Sequence, residues 1–413
     1  MKTILVVADG MADRPIRELK WRTPLEAAHK PSLDRIAKTG VCGIADLVSP
    51  GVPPGSDAAT LALLGYDPLK VYSGRGALEA VGCGMEVLPD DVAFRCNFAT
   101  VDENLVVSDR RAGRIADEDA SKLAKSLQQV KVAKSLNVEF MFKHTIQHRA
   151  ALVLRGRGLS TTVSDSDPEV SGRRVSEIKA LDGSTESRHT AEVLNVLMSE
   201  FRRVLIEHPV NRRRTEEALP TANTVLCRGA GTLPKIEPVS EVFGIKATCI
   251  AAVPLIKGVC KVAGMRLMTV KGATGTLQTD YMAKARAAVQ ALETNDLVFL
   301  HVKATDVASH DGNFKLKTEV IEKVDTMVEH LLENVDLDST YLAVTADHTT
   351  STLTQNHEGD PVPVAIAGPY VRRDDVAEFG ERACAKGGLG RIRGKDVMYI
   401  LMDLLEKTKK FGA

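Results

Sequence analysis

Leu297-Val298-Phe299-Leu300-His301-Val302-Lys303-Ala304-Thr305-Asp306-Val307-Ala308-Ser309-His310-Asp311-Gly312 is the stretch that decides how this chain folds. Its first six residues are an apolar run of strand length. The residues after them are more polar and spaced for a helical turn, with Asp306 and His310 four apart and therefore on one face, where both can grip one cation. A strand that empties directly into such a turn is the unit from which open α/β sheets are built. Those sheets place their ligand sites just beyond the carboxyl ends of the strands.

The same pattern recurs on either side. Thr3-Ile4-Leu5-Val6-Val7-Ala8 reads as a short buried strand running into Asp9-Gly10, and Tyr341-Leu342-Ala343-Val344-Thr345 reads as another running into Ala346-Asp347-His348. Neighbouring residues of extended chain point to opposite sides, so Asp347 and His348 can face one metal while residues beside them serve a second. His357 follows nine residues after His348, ahead of the strand-like Pro361–Ala367 run. Each residue alone has an ordinary reading as a cap, a solvated side chain or a hydrogen-bonded histidine. Together, three strand ends deliver carboxylate and imidazole in the nitrogen-and-oxygen mixture suited to Zn²⁺, Mn²⁺ or Co²⁺ rather than to an all-oxygen Ca²⁺ site.

One serine completes the set. In Pro53-Pro54-Gly55-Ser56-Asp57-Ala58-Ala59-Thr60, two prolines and a glycine make a rigid entry. Ser56 stands where an N-cap residue belongs, and a helix is expected from Asp57 to Leu64 until Gly65 stops it. A hydroxyl there lies beside free backbone N–H groups and the positive end of the helix dipole, a cradle for phosphate.

The order Asp9, Ser56, Asp306-x-x-x-His310, Asp347-His348, His357 resembles that of the alkaline phosphatase superfamily of metalloenzymes. Within it the chain is similar to the archaeal-type 2,3-bisphosphoglycerate-independent phosphoglycerate mutases. The match is carried by Ala8–Pro15, Thr23–Ala28, Gly55-Ser56-Asp57, Leu63–Pro68, Tyr72–Ala80, His148-Arg149-Ala150, Arg155-Gly156, Asp165-x-Asp167-Pro168, Gly272–Gly275, Lys303–Asp306 and Pro361-Val362-Pro363, which span nearly the whole chain. Thr349-Thr350 is a departure, since a smaller residue is expected directly after His348.

The resemblance implies an alkaline-phosphatase-like three-layer α/β core with a mostly parallel sheet, carrying an inserted smaller α+β cap whose cleft traps substrate. It implies two divalent metal ions and no requirement for bisphosphoglycerate. Asp306, His310 and His357 would hold one ion, and Asp9, Ser56, Asp347 and His348 the other. Ser56 would be the nucleophile that takes the phosphate of 3-phosphoglycerate as phosphoserine and returns it to the 2-hydroxyl of retained glycerate, a reaction of glycolysis and gluconeogenesis. Retention of glycerate requires cations for its carboxylate, for which Arg149 and Arg155, at either end of one expected strand, are the candidates. Lys303 is a candidate for the phosphate and His148 for proton transfer, with Arg111 and Arg114 as weaker candidates. A metal-dependent phosphatase or phosphodiesterase would use the same ligands and differ only in admitting water to phosphoserine. A homoserine-kinase-like phosphotransferase is a further alternative, against which no Walker-type phosphate loop is found.

Composition agrees with an enzyme of this kind. At 413 residues the chain exceeds one compact core. The ligands at Asp9 and Ser56 and those beyond residue 300 must fold together. The expected division is therefore a discontinuous metal-binding core, 1–85 with 255–413, and an inserted substrate-binding domain, 86–254. Inside the insert, Val92–Phe98 and Ala150–Arg155 read as strands and Glu186–Arg203 as an amphipathic helix. In the core, Thr279–Leu292 and Lys317–Leu332 read as helices flanking the sheet. Fifty-four basic and 54 acidic residues argue against nucleic acid or an anionic membrane as the main partner, and the resemblance implies a small-molecule substrate, phosphoglycerate. The Arg202-Arg203 and Arg212-Arg213-Arg214 clusters read as solvated helix faces. Seven cysteines without a Cys-x-x-Cys pair suggest thiols in a reducing cytoplasm, and the six-residue apolar start is too short for a signal peptide. Oligomeric state is not legible in the sequence.

Overall fold

A computed structural model describes residues 1–131 and 136–412. The chain divides into two compact units, one made of Met1–Tyr72 with Lys235–Ala413, the other of Ser73–Pro234. The boundaries fall earlier than 85/86 and 254/255 for a structural reason. Helix Arg75–Gly82 packs on strand Val92–Val101 of the smaller unit, whereas strand Ala247–Ile250 pairs with Leu297–Val302 in the larger one.

The larger unit is built on an eight-stranded sheet in the order 390–393, 40–46, 362–367, 340–345, 2–8, 297–302, 247–250, 266–267. Seven strands run in one direction and only Val362–Ala367 opposes them. The three strands expected to carry ligands, Lys2–Ala8, Leu297–Val302 and Thr340–Thr345, are direct neighbours in the middle, in register from Thr3↔Leu297 and Thr3↔Tyr341. Apart from Lys2 they are buried throughout, as parallel strands covered on both faces must be, and this is why they read as continuous apolar runs. Helices Tyr281–Leu292 and Phe314–Asn334 begin at Asp280 and Asn313, whose side chains accept from the N–H groups of Ala283 and Leu316. In the second helix Val320, Ile321, Val324, Met327, Val328 and Leu331 form the buried stripe.

The smaller unit holds antiparallel strands in the order 224–231, 92–101, 149–156, 138–146, with 107–109 paired to the far end of 92–101. Alternation gives its sheet two different faces. Phe94, Cys96, Phe98, Leu152, Leu154, Val225 and Cys227 belong to one hydrophobic core with residues of helices Asp117–Leu127 and Thr185–Glu207. Arg95, Asn97, Arg149 and Arg228 alternate with them on the other face. Arg214 departs from the expectation of a solvated cluster: it is buried and donates to the carbonyls of Pro220 and Ala112. Among the described residues no helix is long and apolar enough to cross a membrane.

Candidate metal centre

The carboxyl ends of the three central strands bring Asp9, Asp306, Asp347 and His348 together, and all four are buried. Two groups of ligand atoms result, each with every member within 4.8 Å of the others: Asp9, Asp347 and His348, and Asp306, His348 and His357. His348 therefore reaches both groups rather than one. Its Nε2 lies 3.3 Å from Asp9 Oδ1 and 3.4 Å from Asp347 Oδ1. His310, on helix Ala304–His310, puts Nε2 3.4 Å from Asp306 Oδ1, and His357 Nε2 lies 3.7 Å from the same oxygen.

Ser56 joins the first group, with Oγ 3.1 Å from His348 Nε2. The N-cap of its helix is Gly55, so Ser56 is the first helical residue of Ser56–Leu63 and the helix starts one residue earlier than the sequence suggests. His357 is carried by a short hairpin, Thr349–Ser351 with Asn356–Glu358, and its Nδ1 contacts the carbonyl of Pro54 at 2.7 Å, tying the imidazole to the loop that presents the serine.

A carbonyl only accepts, so His357 Nδ1 must carry the ring proton. The same holds for His310, whose Nδ1 donates to Gln355 O at 2.7 Å. In both rings Nε2 is left with its lone pair towards Asp306, the tautomer a metal ligand needs.

The electrostatics are those of a place built for cations. Three carboxylates lie buried together, a costly arrangement without compensating charge. Burial and the charge of Asp9 push Asp347 above the usual carboxylate range, and its Oδ2 is buried with no hydrogen-bond partner. Asp9 goes the other way: burial would raise it, but Lys303, His301 and His348 hold it well below its ordinary value. Lys303 Nζ sits 2.9 Å from Asp9 Oδ1 and 2.6 Å from Asp306 Oδ2, an ammonium ion lodged between the two groups. Burial and the neighbouring His348 lower His357 to about 4, so its ring is neutral and available as a ligand at ordinary pH. The donor set, the tautomers and the orphaned Asp347 oxygen all fit divalent cations of the Zn²⁺, Mn²⁺ or Co²⁺ kind.

Several contributing residues escape sequence reading. His301 Nε2 lies 2.9 Å from Asp9 Oδ2, and Thr305 Oγ donates to the Asp9 carbonyl. Gly10 donates its N–H to Asp347 Oδ1 at 3.0 Å and takes φ +62°. A Cβ there would sit 2.5 Å from Thr350 Oγ1 and 2.8 Å from Asp306 Oδ1, so only glycine fits. A glycine straight after a strand-end aspartate, and a histidine inside an apolar strand, were the available signals.

In the smaller unit, Arg149 and His148 lie among arginines. Arg95 pairs across strands with Arg228, and Asn97 with Arg149. Helix Arg75–Gly82 adds Arg75 and Glu79, whose Oε2 is 3.6 Å from Arg75 Nε and 3.8 Å from Arg95 Nε. One carboxylate thus faces several guanidinium groups. Burial lowers Arg95 to about 9 and lowers Arg149 as well. Burial, with Arg149, Arg111 and Arg95, lowers His148 to about 4. Six of the twelve buried polar atoms without a hydrogen-bond partner among the described residues belong here: Arg75 Nε, Glu79 Oε2, Arg95 Nε, Asn97 Oδ1, His148 Nδ1 and Arg149 Nε. Such a concentration is unusual for residues buried only to pack. Arg155 stands apart from this group. Its Nε and Nη2 are fastened to the Asp91 carboxylate at 3.0 and 2.8 Å, and Glu86 is its other neighbour.

A family model described as 2,3-bisphosphoglycerate-independent phosphoglycerate mutase matches residues 37–211. The chain is 49% identical over 412 residues to 2,3-bisphosphoglycerate-independent phosphoglycerate mutase 1 of Methanocaldococcus jannaschii, covering 100% of this chain and 99% of that protein. It is likewise 49% identical over 414 residues to the protein of that description from Methanothermobacter thermautotrophicus, covering 100% of both. Among solved structures, one from Pyrococcus horikoshii superposes with a TM-score of 0.88 at 40% identity, covering 100% of this chain and 99% of that one. The cofactor-independent phosphoglycerate mutase of Thermoplasma acidophilum gives 0.69 at 36% identity, covering 98% and 100%.

Proposed function

We propose that this chain, which belongs to the family of 2,3-bisphosphoglycerate-independent phosphoglycerate mutases, moves phosphate between the 3- and 2-positions of glycerate through Ser56 at a two-cation centre. The observation that carries the reading is the Ser56 hydroxyl lying 3.1 Å from His348 Nε2, within a buried set of carboxylates and imidazoles. Asp9, Ser56, Asp347 and His348 would hold one divalent cation and Asp306, His310 and His357 the other. When bound, such cations lower the pKa of a hydroxyl and neutralise phosphoryl charge.

Ser56 Oγ gives up its proton and attacks phosphorus, its O–P bond forms, the bond to the 3-oxygen of the substrate breaks, and that oxygen takes up a proton. Glycerate stays bound and turns. Its 2-hydroxyl then loses its proton and attacks the phosphoserine, and Ser56 Oγ leaves and is reprotonated. The N-terminal turn of helix Ser56–Leu63 offers N–H groups to the phosphoryl oxygens. Lys303, one-fifth exposed between Asp9 and Asp306, is the side chain we assign to the transferring group. The inserted unit is read as the substrate-binding domain. Its arginines are assigned to the carboxylate of glycerate, Arg149 foremost, and neutral His148 offers Nδ1 as a proton acceptor for a substrate hydroxyl. The bidentate pairing of Arg155 with Asp91 supports a structural part for it instead.

The test is phosphorus NMR of Mn²⁺-supplied protein with 3-phosphoglycerate and no bisphosphoglycerate. Appearance of 2-phosphoglycerate without free phosphate is expected, and Ser56→Ala should abolish it while far-ultraviolet circular dichroism is unchanged. Free phosphate as the main product would make the protein a hydrolase on the same residues. Activity retained by Ser56→Ala would end the phosphoserine route.

A further inference from the structure

Thr350 belongs to the Thr-Thr pair that departs from the expected pattern after His348, and the two-cation reading gives it no part. It is fully buried on the short hairpin strand Thr349–Ser351. Its backbone is pinned from both sides, since its N–H donates to Ala12 O at 3.1 Å and its carbonyl accepts from Lys317 Nζ at 2.8 Å. The side chain is therefore delivered to one place. There Oγ1 lies 2.9 Å from Asp306 Oδ1 and 2.8 Å from His348 Nδ1.

A hydroxyl has one proton to give and lone pairs to receive with. The Asp306 carboxylate is an acceptor, so the Thr350 proton goes to it. The hydroxyl oxygen can then only accept from the imidazole, and His348 Nδ1 must carry the ring proton. With a cation bound there, His348 Nε2 would then turn its lone pair to the group formed by Ser56, Asp9 and Asp347. For His310 and His357 the tautomer is set by carbonyls, which have no choice of role. For His348 it is set by a hydroxyl whose role is decided by Asp306, a ligand of the other group.

We infer that Thr350 is a positioning residue that couples the two cation sites, its single proton orienting Asp306 for one cation and thereby fixing the His348 tautomer for the other. This rests on the two-cation reading. Removing the hydroxyl weakens both sites at once, although Thr350 is assigned as a ligand of neither. Loss of such an outer partner lowers affinity about 10- to 100-fold.

The test is calorimetric titration of the metal-free protein with Mn²⁺ alone, comparing wild type, Thr350→Val and Thr350→Ser. Val keeps the branched shape and removes the hydroxyl, whereas Ser keeps the hydroxyl. Both binding steps are expected to weaken about 10- to 100-fold in Thr350→Val and to stay near wild type in Thr350→Ser. Unchanged binding in the Val variant overturns the inference. So does weakening confined to one step, or equal weakening in the Ser variant. Wild-type protein that binds no Mn²⁺ would instead overturn the two-cation reading itself. Should the Val variant not fold, nitrogen NMR of Zn²⁺-loaded wild-type protein decides: a protonated His348 Nδ1 supports the inference, and a bare one refutes it.

Discussion

Replacing Lys317 with methionine should unseat the loop on which the centre depends. Lys317 is completely buried in the first turns of helix Phe314–Asn334, and each of its three ammonium protons has an acceptor. Nζ lies 3.0 Å from Ala12 O, 3.0 Å from Asp13 Oδ2 and 2.8 Å from Thr350 O. Asp13 is also buried and accepts from the N–H groups of Arg14 and Thr352. Methionine nearly preserves the volume, so no cavity enters the comparison. The variant is left with a buried carboxylate without its cation, costing about 3–5 kcal/mol, and a Thr350 carbonyl stripped of its donor, costing about 1–3 kcal/mol. Asp13→Asn keeps an oxygen for the two N–H groups and removes the charge, so adding it to Lys317→Met should recover at least about 2 kcal/mol. The assay is urea unfolding of wild type, the two single variants and the double variant at one pH. A cost below about 1 kcal/mol for Lys317→Met, or no recovery in the double variant, would refute the reasoning.

Gly10→Ala should fold but lose Mn²⁺ binding in calorimetry. The left-handed backbone costs about 1–2 kcal/mol, and the clash with Thr350 and Asp306 adds about 1–3 kcal/mol; unaltered binding would show that the loop yields. Glu381, half-buried and accepting from Thr23 Oγ1 and the Asp13 N–H, is raised by desolvation from 4.5 to about 7. Its contribution is complete below pH 4.5, where the unfolded chain is also protonated, and is lost as pH rises through about 7. Glu381→Gln should therefore remove a decline of about 2–3 kcal/mol across that window, and denaturation midpoints at pH 5 and pH 8 that fall by the same amount in both proteins would show otherwise.

The sequence by itself determined which residue types stand at the ends of which strands. Apolar runs at Thr3–Ala8, Leu297–Val302 and Tyr341–Thr345 can be satisfied only by burial on both faces. The polar residues after them must then emerge together at one edge of a parallel sheet. Strand ends alone place Asp9, Asp306, Asp347 and His348, and the Pro-Pro-Gly entry places Ser56, because at each of them the geometry follows from neighbours in the chain.

Tertiary structure alone decided the partners. Arg149 and Arg155 lie six apart on one strand, and nothing local separates them. Only the fold puts Asp91 against one guanidinium and leaves the other among arginines with its Nε unpaired. The reach of His348 into both ligand groups, the Gly10 N–H on Asp347 and the Lys317 ammonium on Asp13 join residues from opposite ends of the chain. The Thr350 hydroxyl likewise answers to Asp306 and His348 across two elements. Hydrogen bonds of this kind depend on sub-ångström placement, and that placement is fixed by strand register and helix packing rather than by residue type.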